Sequence, residues 1–188
     1  MPGTNIPTDV CCTLKYVQTN LKHFKEITIG STIQYKVKTL PVLSDIAMGK
    51  PAAQSSIFLN YSAELAVDGN RGTDIYQDLC SHTDTADTNP WWRVDLQAVY
   101  SIKTVRIINR GIDKFKTDLS DRLRDVTVTV GLTDIDIGTT CGFFAGPGTL
   151  SQLVVIDCPT LPFGRYVKIS MTTEYLSLCE VDVFGVKE

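Results

Sequence analysis

The sequence predicts an all-β sandwich. Short β-branched runs recur along the chain, clusters of Gly, Pro, Asn and Asp separate them, and no stretch sustains a helical apolar period. A chain of 188 residues, 43% of them hydrophobic, has the length and apolar content for one β domain with an appendage. The strongest runs are Ser101–Asn109, Val126–Val130, Gln152–Ile156, Arg165–Met171 and Val181–Val186, with turn signals such as Ala145-Gly146-Pro147-Gly148 between them. Strands joined in this way stack as two sheets around one core. There is no internal repeat and no low-complexity tract.

The main domain is expected over residues 43–188, and residues 1–42 read as a smaller β extension. Val10, Cys12, Leu14 and Tyr16 alternate with other residues as a half-buried strand does. Glu26-Ile27-Thr28-Ile29 and Ile33-Gln34-Tyr35-Lys36-Val37 flank Gly30-Ser31-Thr32, a turn of the kind that closes hairpins. The unit ends near Leu40-Pro41. It is too short to hold a core of its own, so it is expected to pack on the main domain or on another subunit, as an oligomerisation segment. Cys11-Cys12 can close a ring, pair with two partners or bridge chains, and the sequence does not choose among these.

Composition removes several function classes. A formal net charge of -3 and a pI near 5.4 give no basic stripe to neutralise phosphates, so nucleic acid is not an expected partner. No apolar run approaches the ~18 residues of a membrane span, and membrane insertion is not expected. Met1–Val10 lacks the charged-then-apolar pattern of a signal peptide, so a secreted form would be mature as written. The six cysteines include no CxxC pair and no His at zinc-finger spacing; they read as disulfides in an oxidising, extracellular compartment. The sequon Asn60-Tyr61-Ser62 agrees with secretion. There is no GxSxG, HExxH, P-loop or dinucleotide-binding pattern. His82 has Asp84 and Asp87 nearby but no nucleophile to activate. An enzyme is not expected.

Two stretches carry candidate chemistry. Asp68-Gly69-Asn70-Arg71-Gly72-Thr73-Asp74 is an oxygen-rich turn, but as an EF-hand loop it lacks the sixth-position glycine and the distal glutamate. Alone, it is a plain Asp-Gly turn. The second stretch runs from Cys80-Ser81-His82 through Asn89-Pro90-Trp91-Trp92-Arg93-Val94-Asp95-Leu96 to Arg110 and Arg122. The paired tryptophans read as core supports. Arg offers a fixed fork of donors and His donates or accepts, so the three together suit a ligand rich in acceptor oxygens, such as a phosphate, a carboxylate or a sugar. Ile75 or Tyr76 beside them would suit a ligand with one apolar patch. Spacing alone does not join the three residues.

Ala47–Val186 resembles the F-type lectins, the fucose-binding lectins typified by eel agglutinin. The resemblance rests on Gly49-Lys-Pro-Ala-Ala-Gln-Ser55, Ala66-Val-Asp-Gly-Asn-Arg71, Cys80-Ser-His82, Asn89-Pro-Trp-Trp-Arg-Val-Asp-Leu96, Asn109-Arg-Gly111, Gly164-Arg-Tyr-Val167 and Leu178-Cys-Glu-Val-Asp182. It implies an eight-stranded jelly roll of the galactose-binding, discoidin-like type, with a shallow site for L-fucose at one end. By motif position His82 and Arg110 would donate to the sugar, and Arg122 joins them through the following Leu-Arg-Asp-Val-Thr-Val-Thr-Val-Gly131. Ile75 and Tyr76 would meet the 6-methyl group. The resemblance also implies a structural Ca²⁺, held by the side chains of Asp68 and Glu180 and the carbonyls of Leu65, Asn70, Leu79 and Cys179. Leu79 stands where a hydroxyl residue is common, which costs the set one oxygen. The implied bridges are Cys80–Cys179 and Cys141–Cys158.

One departure stands out. The segment between Arg110 and Arg122 is longer than is typical and lacks the family's adjacent cysteines, so Phe115 or Ile112 takes the stacking role and Asp113 or Asp121 orients an arginine. Lys114 and Lys116 are placed to meet sulfated or extended glycans. The expected whole is a secreted, non-enzymatic, calcium-containing homo-oligomer that binds fucosylated glycans in host defence or cell recognition. The rival is a discoidin-like adhesion module on the same fold, binding phospholipid or a protein with its sugar site blocked or vestigial. The His-Arg-Arg set and the lack of long apolar spikes favour the sugar.

Overall fold

One strand organises the computed structural model, which describes residues 43–188. That strand, β3 (Trp91–Ile108), follows β1 (Ala52–Gln54) and β2 (Ser81–His82). After it come β4 (Val126–Gly131), β5 (Thr139–Phe144), β6 (Leu153–Asp157), β7 (Phe163–Ser170), β8 (Ser177–Leu178) and β9 (Glu180–Lys187). Among the described residues the helical elements are two 3-10 turns, Ala63–Ala66 and Ser120–Arg122. The predicted N-terminal hairpin and Cys11-Cys12 lie outside the described residues.

β3 belongs to both leaves of a sandwich. Trp91–Asp95 lies between β1 and β7, and β4 and β5 continue that leaf. Thr104–Ile108 lies between β6 and β9 and forms the other leaf. All these pairings are antiparallel. Between the halves the register against β7 shifts from Asp95 to Tyr100, and Gln97 sits at φ 64. Such an irregularity bends a strand and re-aims its faces, which lets one chain segment turn the corner between sheets.

Alternation then sends one side of every strand inward. Trp92, Val94, Val105, Ile107, Val126, Val128, Val130, Val154, Ile156, Val167, Ile169, Val181 and Val183 share one buried cluster. Most are β-branched, as a pleated, buried surface favours. Trp92 is fully buried and its Nε1 donates to the Ala63 carbonyl at 2.9 Å, so the indole fixes the first 3-10 turn to the core. Trp91 corrects the expectation of two core tryptophans. As the neighbour of an inward residue it points to the outer face, where it is half-buried.

The all-β expectation holds, and the element bounds refine it. β3 reaches back to Trp91, beyond the predicted start at Ser101, because Trp91–Leu96 alternates as a strand despite its polar members. β5 had no clear apolar run to announce it. Among the described residues nine pairing segments appear, because β2 and β8 make a separate two-residue ribbon. Both implied disulfides are formed. Cys141–Cys158 ties β5 to the residue following β6, joining the leaves, and Cys80–Cys179 ties the entry of β2 to the entry of β9.

Candidate functional site

Asn109 sets the frame at the end of β3. Its buried side-chain amide donates to the carbonyls of Ser120 at 2.8 Å and Thr149 at 2.9 Å, and its Oδ1 accepts from the Arg110 amide at 2.9 Å. One side chain thus pins both ends of the Arg110–Arg122 segment. Gly111 follows because its amide donates to the Thr73 carbonyl at 2.9 Å; a Cβ there would come within 2.6 Å of the Thr73 and Ser151 hydroxyls.

Arg110 is 3% exposed, and its guanidinium lies 3.8 Å from the equally buried Asp113 carboxylate. Asp113 Oδ1 also accepts the amides of Phe115 at 2.9 Å and Thr117 at 3.0 Å, so one carboxylate shapes the loop and holds the arginine. Of the two candidate orienters, Asp113 is the one in place; Asp121 pairs instead with Arg124 at 2.9 Å. Arg110 Nε has no hydrogen-bond partner in the protein.

His82 is 4% exposed and lies among Phe58, Tyr61 and Tyr175, with ring centroids 5.3, 6.5 and 6.4 Å away. Its Nδ1 lies 2.5 Å from the Thr83 carbonyl. A carbonyl only accepts, so Nδ1 carries the hydrogen and Nε2 of the neutral ring is bare. Burial holds the ring below its ordinary pKa of 6.5, and the charges of Arg110 and Arg122 push in the same direction. In that tautomer Nε2 is the ring nitrogen left to accept from a ligand. Arg122, half-buried at the end of the second 3-10 turn, lays its guanidinium 4.1 Å over Tyr175. His82, Arg110 and Arg122 converge closely enough for the charges of both arginines to be felt at the histidine, and that of Arg122 at Arg110.

The apolar neighbours divide. Ile75 is 5% exposed and belongs to a cluster with Tyr61, Cys80, Ile108 and Cys179, so it supports the floor instead of lining a wall. Tyr76 and Phe115 are 43% and 67% exposed and pack edge-on at 5.1 Å, with Lys114 Nζ 5.1 Å from each ring. They form the open rim.

On the side of the Asp68 turn, Gly69 at φ 85 donates its amide to Glu180 Oε1 at 3.2 Å. Asn70 donates to the Asp78 carbonyl at 2.8 Å and accepts the Gly72 amide at 3.0 Å, closing the loop at Asp78. Glu180 is 1% exposed and its Oε2 has no partner. Burial, with Asp68 and Asp182 nearby, pushes its carboxyl up to about 7. Among the described residues no three His, Cys, Asp or Glu side chains gather as a metal-binding group. The set implied for Ca²⁺ has two carboxylates and otherwise backbone carbonyls. A buried, unpartnered carboxylate oxygen beside a second carboxylate fits a hard cation.

A model of the NedA-like, galactose-binding domain matches residues 65–169, more than half of the chain. Fucolectin-1 of Anguilla japonica is 32% identical over 175 residues, covering 89% of this chain and 95% of the relative. The chain belongs to the F-type lectin (fucolectin) family. Two solved structures are similar to this F-type lectin. The serum fucolectin of striped bass, Morone saxatilis, gives a TM-score of 0.66 at 28% identity over 76% of this chain and 47% of that one. The lectin domain of lectinolysin, solved with Lewis B antigen, gives 0.66 at 31% over 76% of this chain and 96% of its own.

Within this F-type lectin the site contains residues that sequence reasoning missed. Ser177 is the ladder partner of His82, so the two share a face of the β2–β8 ribbon, and its buried Oγ has no partner. Tyr175, at φ 72, carries Arg122. Neither lies in a motif that marks it; only the pairing of β2 with β8 brings them to the histidine.

Proposed function

We propose that the chain is a lectin that binds L-fucose-containing glycans through His82, Arg110 and Arg122, without bond chemistry. One observation carries the reading: two arginines and a neutral histidine converge at one end, with Arg110 Nε and Ser177 Oγ buried and unpartnered. A fucose hydroxyl donates to His82 Nε2 while its oxygens accept from the guanidinium groups. Tyr76 supplies the apolar surface for the 6-methyl group, and Phe115, packed edge-on against it, faces the rest of an extended glycan. Family membership and the lectinolysin domain's complex with Lewis B antigen support the sugar class. A few such contacts give about 4–8 kcal/mol per site, millimolar to micromolar affinity.

Calorimetric titration with L-fucose and with galactose tests this reading. L-fucose is expected to bind, galactose more weakly, and Arg110→Ala to lose about 100-fold, as removal of a buried charged anchor does. Because Arg110→Ala leaves Asp113 buried without its partner, Arg122→Ala serves as the second variant. Unchanged fucose binding in both variants would overturn the assignment.

The reading includes a structural Ca²⁺ at Asp68 and Glu180 with the carbonyls of Leu65, Asn70, Leu79 and Cys179. It would fix the turn beneath the sugar end. Chelation is expected to lower the melting temperature of the wild type by several degrees and to leave Glu180→Gln unmoved; a wild-type melt indifferent to chelator removes the ion. Weak single sites call for multivalency. The protein is accordingly read as a secreted homo-oligomer that recognises glycan-coated surfaces in host defence or cell recognition. A full chain that sediments as a monomer would remove the multivalent part of this reading.

A further inference from the structure

A second pocketed face lies on the outer side of the leaf built from β1, the first half of β3, β7, β4 and β5. The turn between β4 and β5 folds against this face and leaves a cavity of about 400 Å³, lined by Trp91, Arg93, Lys168 and the Asp134–Gly138 segment. Gly131 permits the approach, since a Cβ there would meet the Asp136 carbonyl oxygen at 1.9 Å. None of these residues belongs to the His82, Arg110 and Arg122 set.

The composition of the cavity is specific. The half-buried Trp91 ring has Arg93 at 5.6 Å and Lys168 at 5.5 Å from its centroid. Arg93 and Lys168 are direct partners in the β3–β7 register, and like charges placed opposite one another destabilise a sheet. The Arg93 charge is answered within the protein: its guanidinium donates to the Asp134 carbonyl at 2.7 Å and lies 3.7 Å from the Asp134 carboxylate. Lys168 forms no ion pair with a carboxylate among the described residues. Two carboxylates on the facing turn, Asp134 and Asp136, supply acceptors, and Ile135 at its tip is 93% exposed.

We infer that this cavity is a second carbohydrate site, taking one pyranose ring that carries a single anionic substituent, sulfate or carboxylate. The C–H face of the ring lies on Trp91, the anion meets Lys168 and relieves its repulsion with Arg93, and ring hydroxyls donate to the turn's carboxylates. The cavity falls in the size range of small-ligand pockets, which combine an aromatic surface with a few polar groups. Such a site would let one domain engage two chemically different sugars of one glycan surface, independently of whether the first is fucose.

Trp92 is fully buried, so a tryptophan emission change on ligand addition reports Trp91. The full chain is titrated with galactose-6-sulfate, glucuronic acid and uncharged galactose. At least one charged sugar is expected to quench emission saturably, with galactose at least about tenfold weaker. Lys168→Gln is expected to weaken the charged sugar about tenfold, whereas Arg110→Ala leaves it unchanged. Ligand-observed NMR supplies a second readout, in which Trp91→Phe keeps binding and Trp91→Ala loses it. A response to only one charged sugar names the substituent. Quenching by none of the sugars, equal quenching by galactose, indifference to Lys168→Gln, or loss in a folded Arg110→Ala protein would each overturn the proposal.

Discussion

The proposed sugar end has a floor and a rim, and they are held in opposite ways. On the floor, His82 and Arg110 are 4% and 3% exposed and rest near a buried cluster of Tyr61, Ile75, Ile108 and the Cys80–Cys179 bridge. Each polar group is oriented by a neighbour: Thr83 for the histidine, Asp113 for the arginine, Asn109 for the loop. The rim is Tyr76, Ile112, Lys114 and Phe115, all exposed, with Tyr76, Lys114 and Phe115 in contact with one another. The difference separates two parts of recognition. A buried, pre-oriented floor loses little freedom when a ligand arrives and so sets whether a sugar binds at all. An exposed rim adapts, and so sets which extended glycan is preferred.

The largest expected effect breaks the floor through its covalent tie. Cys80 and Cys179 are separated by 99 residues, so their bridge constrains the unfolded chain by about 4–5 kcal/mol in the entropy model. Cys141–Cys158, separated by 17, gives about 3 kcal/mol in the same model and lies away from the sugar end. Replacing each pair by alanine is therefore expected to lower the denaturant midpoint in both cases, more for the first. Fucose affinity, measured where both variants are folded, should fall only for Cys80→Ala/Cys179→Ala. Equal affinity in the two variants would mean that the floor keeps its geometry without the bridge.

The same division decides what the sequence made legible. Val105, Ile107, Val126, Val128 and Val130 alternate with polar residues because one side of each faces the core, and that period is written in the chain. The two disulfides, and the nearness of His82, Arg110 and Arg122 to one another, were legible from the family resemblance and not from spacing. Ser177 and Tyr175 were not, since they reach His82 only through the pairing of β2 with β8. The role of His82 was legible only in part: its position came from the motif, but the contact of Nδ1 with the Thr83 carbonyl decides which nitrogen is free. Ile75 and Tyr76 are adjacent, and no local pattern told which would be buried and which would stand on the rim. Trp91 was misplaced because two adjacent tryptophans suggest one core anchor, whereas strand alternation puts one on each face.

A pH titration sharpens the floor. Burial, then the two arginines, depress the His82 pKa below 6.5, so the unfolded chain takes up this proton first as the pH falls. The stability contributed by the neutral ring is thus complete above pH 6.5 and is lost as pH falls through the lower folded value. Fucose affinity is expected to follow the folded value, because protonation turns the Nε2 acceptor into a donor. It should hold to below pH 6.5 and then decline, with a flat profile in that range for His82→Gln, which retains an acceptor oxygen. An affinity already halved at pH 6.5 would place His82 in solvent and contradict a pre-oriented floor.

The smallest expected effect tests the rim. Phe115 is 67% exposed and packs edge-on against Tyr76 at 5.1 Å, so Phe115→Ala removes one surface aromatic contact and no core volume. Stability should change by no more than about 0.5 kcal/mol, as for other exposed positions. Affinity for free L-fucose should stay within about twofold, since the floor still supplies the charged and hydrogen-bonding groups. For a fucosylated tetrasaccharide, an aromatic contact covered on binding is worth about 0.5–1.5 kcal/mol, which predicts a loss of roughly two- to tenfold. Calorimetry with the two ligands on one variant reads the difference directly. If the monosaccharide loses as much as the tetrasaccharide, Phe115 acts with His82 and Arg110, and the line between floor and rim has been drawn in the wrong place.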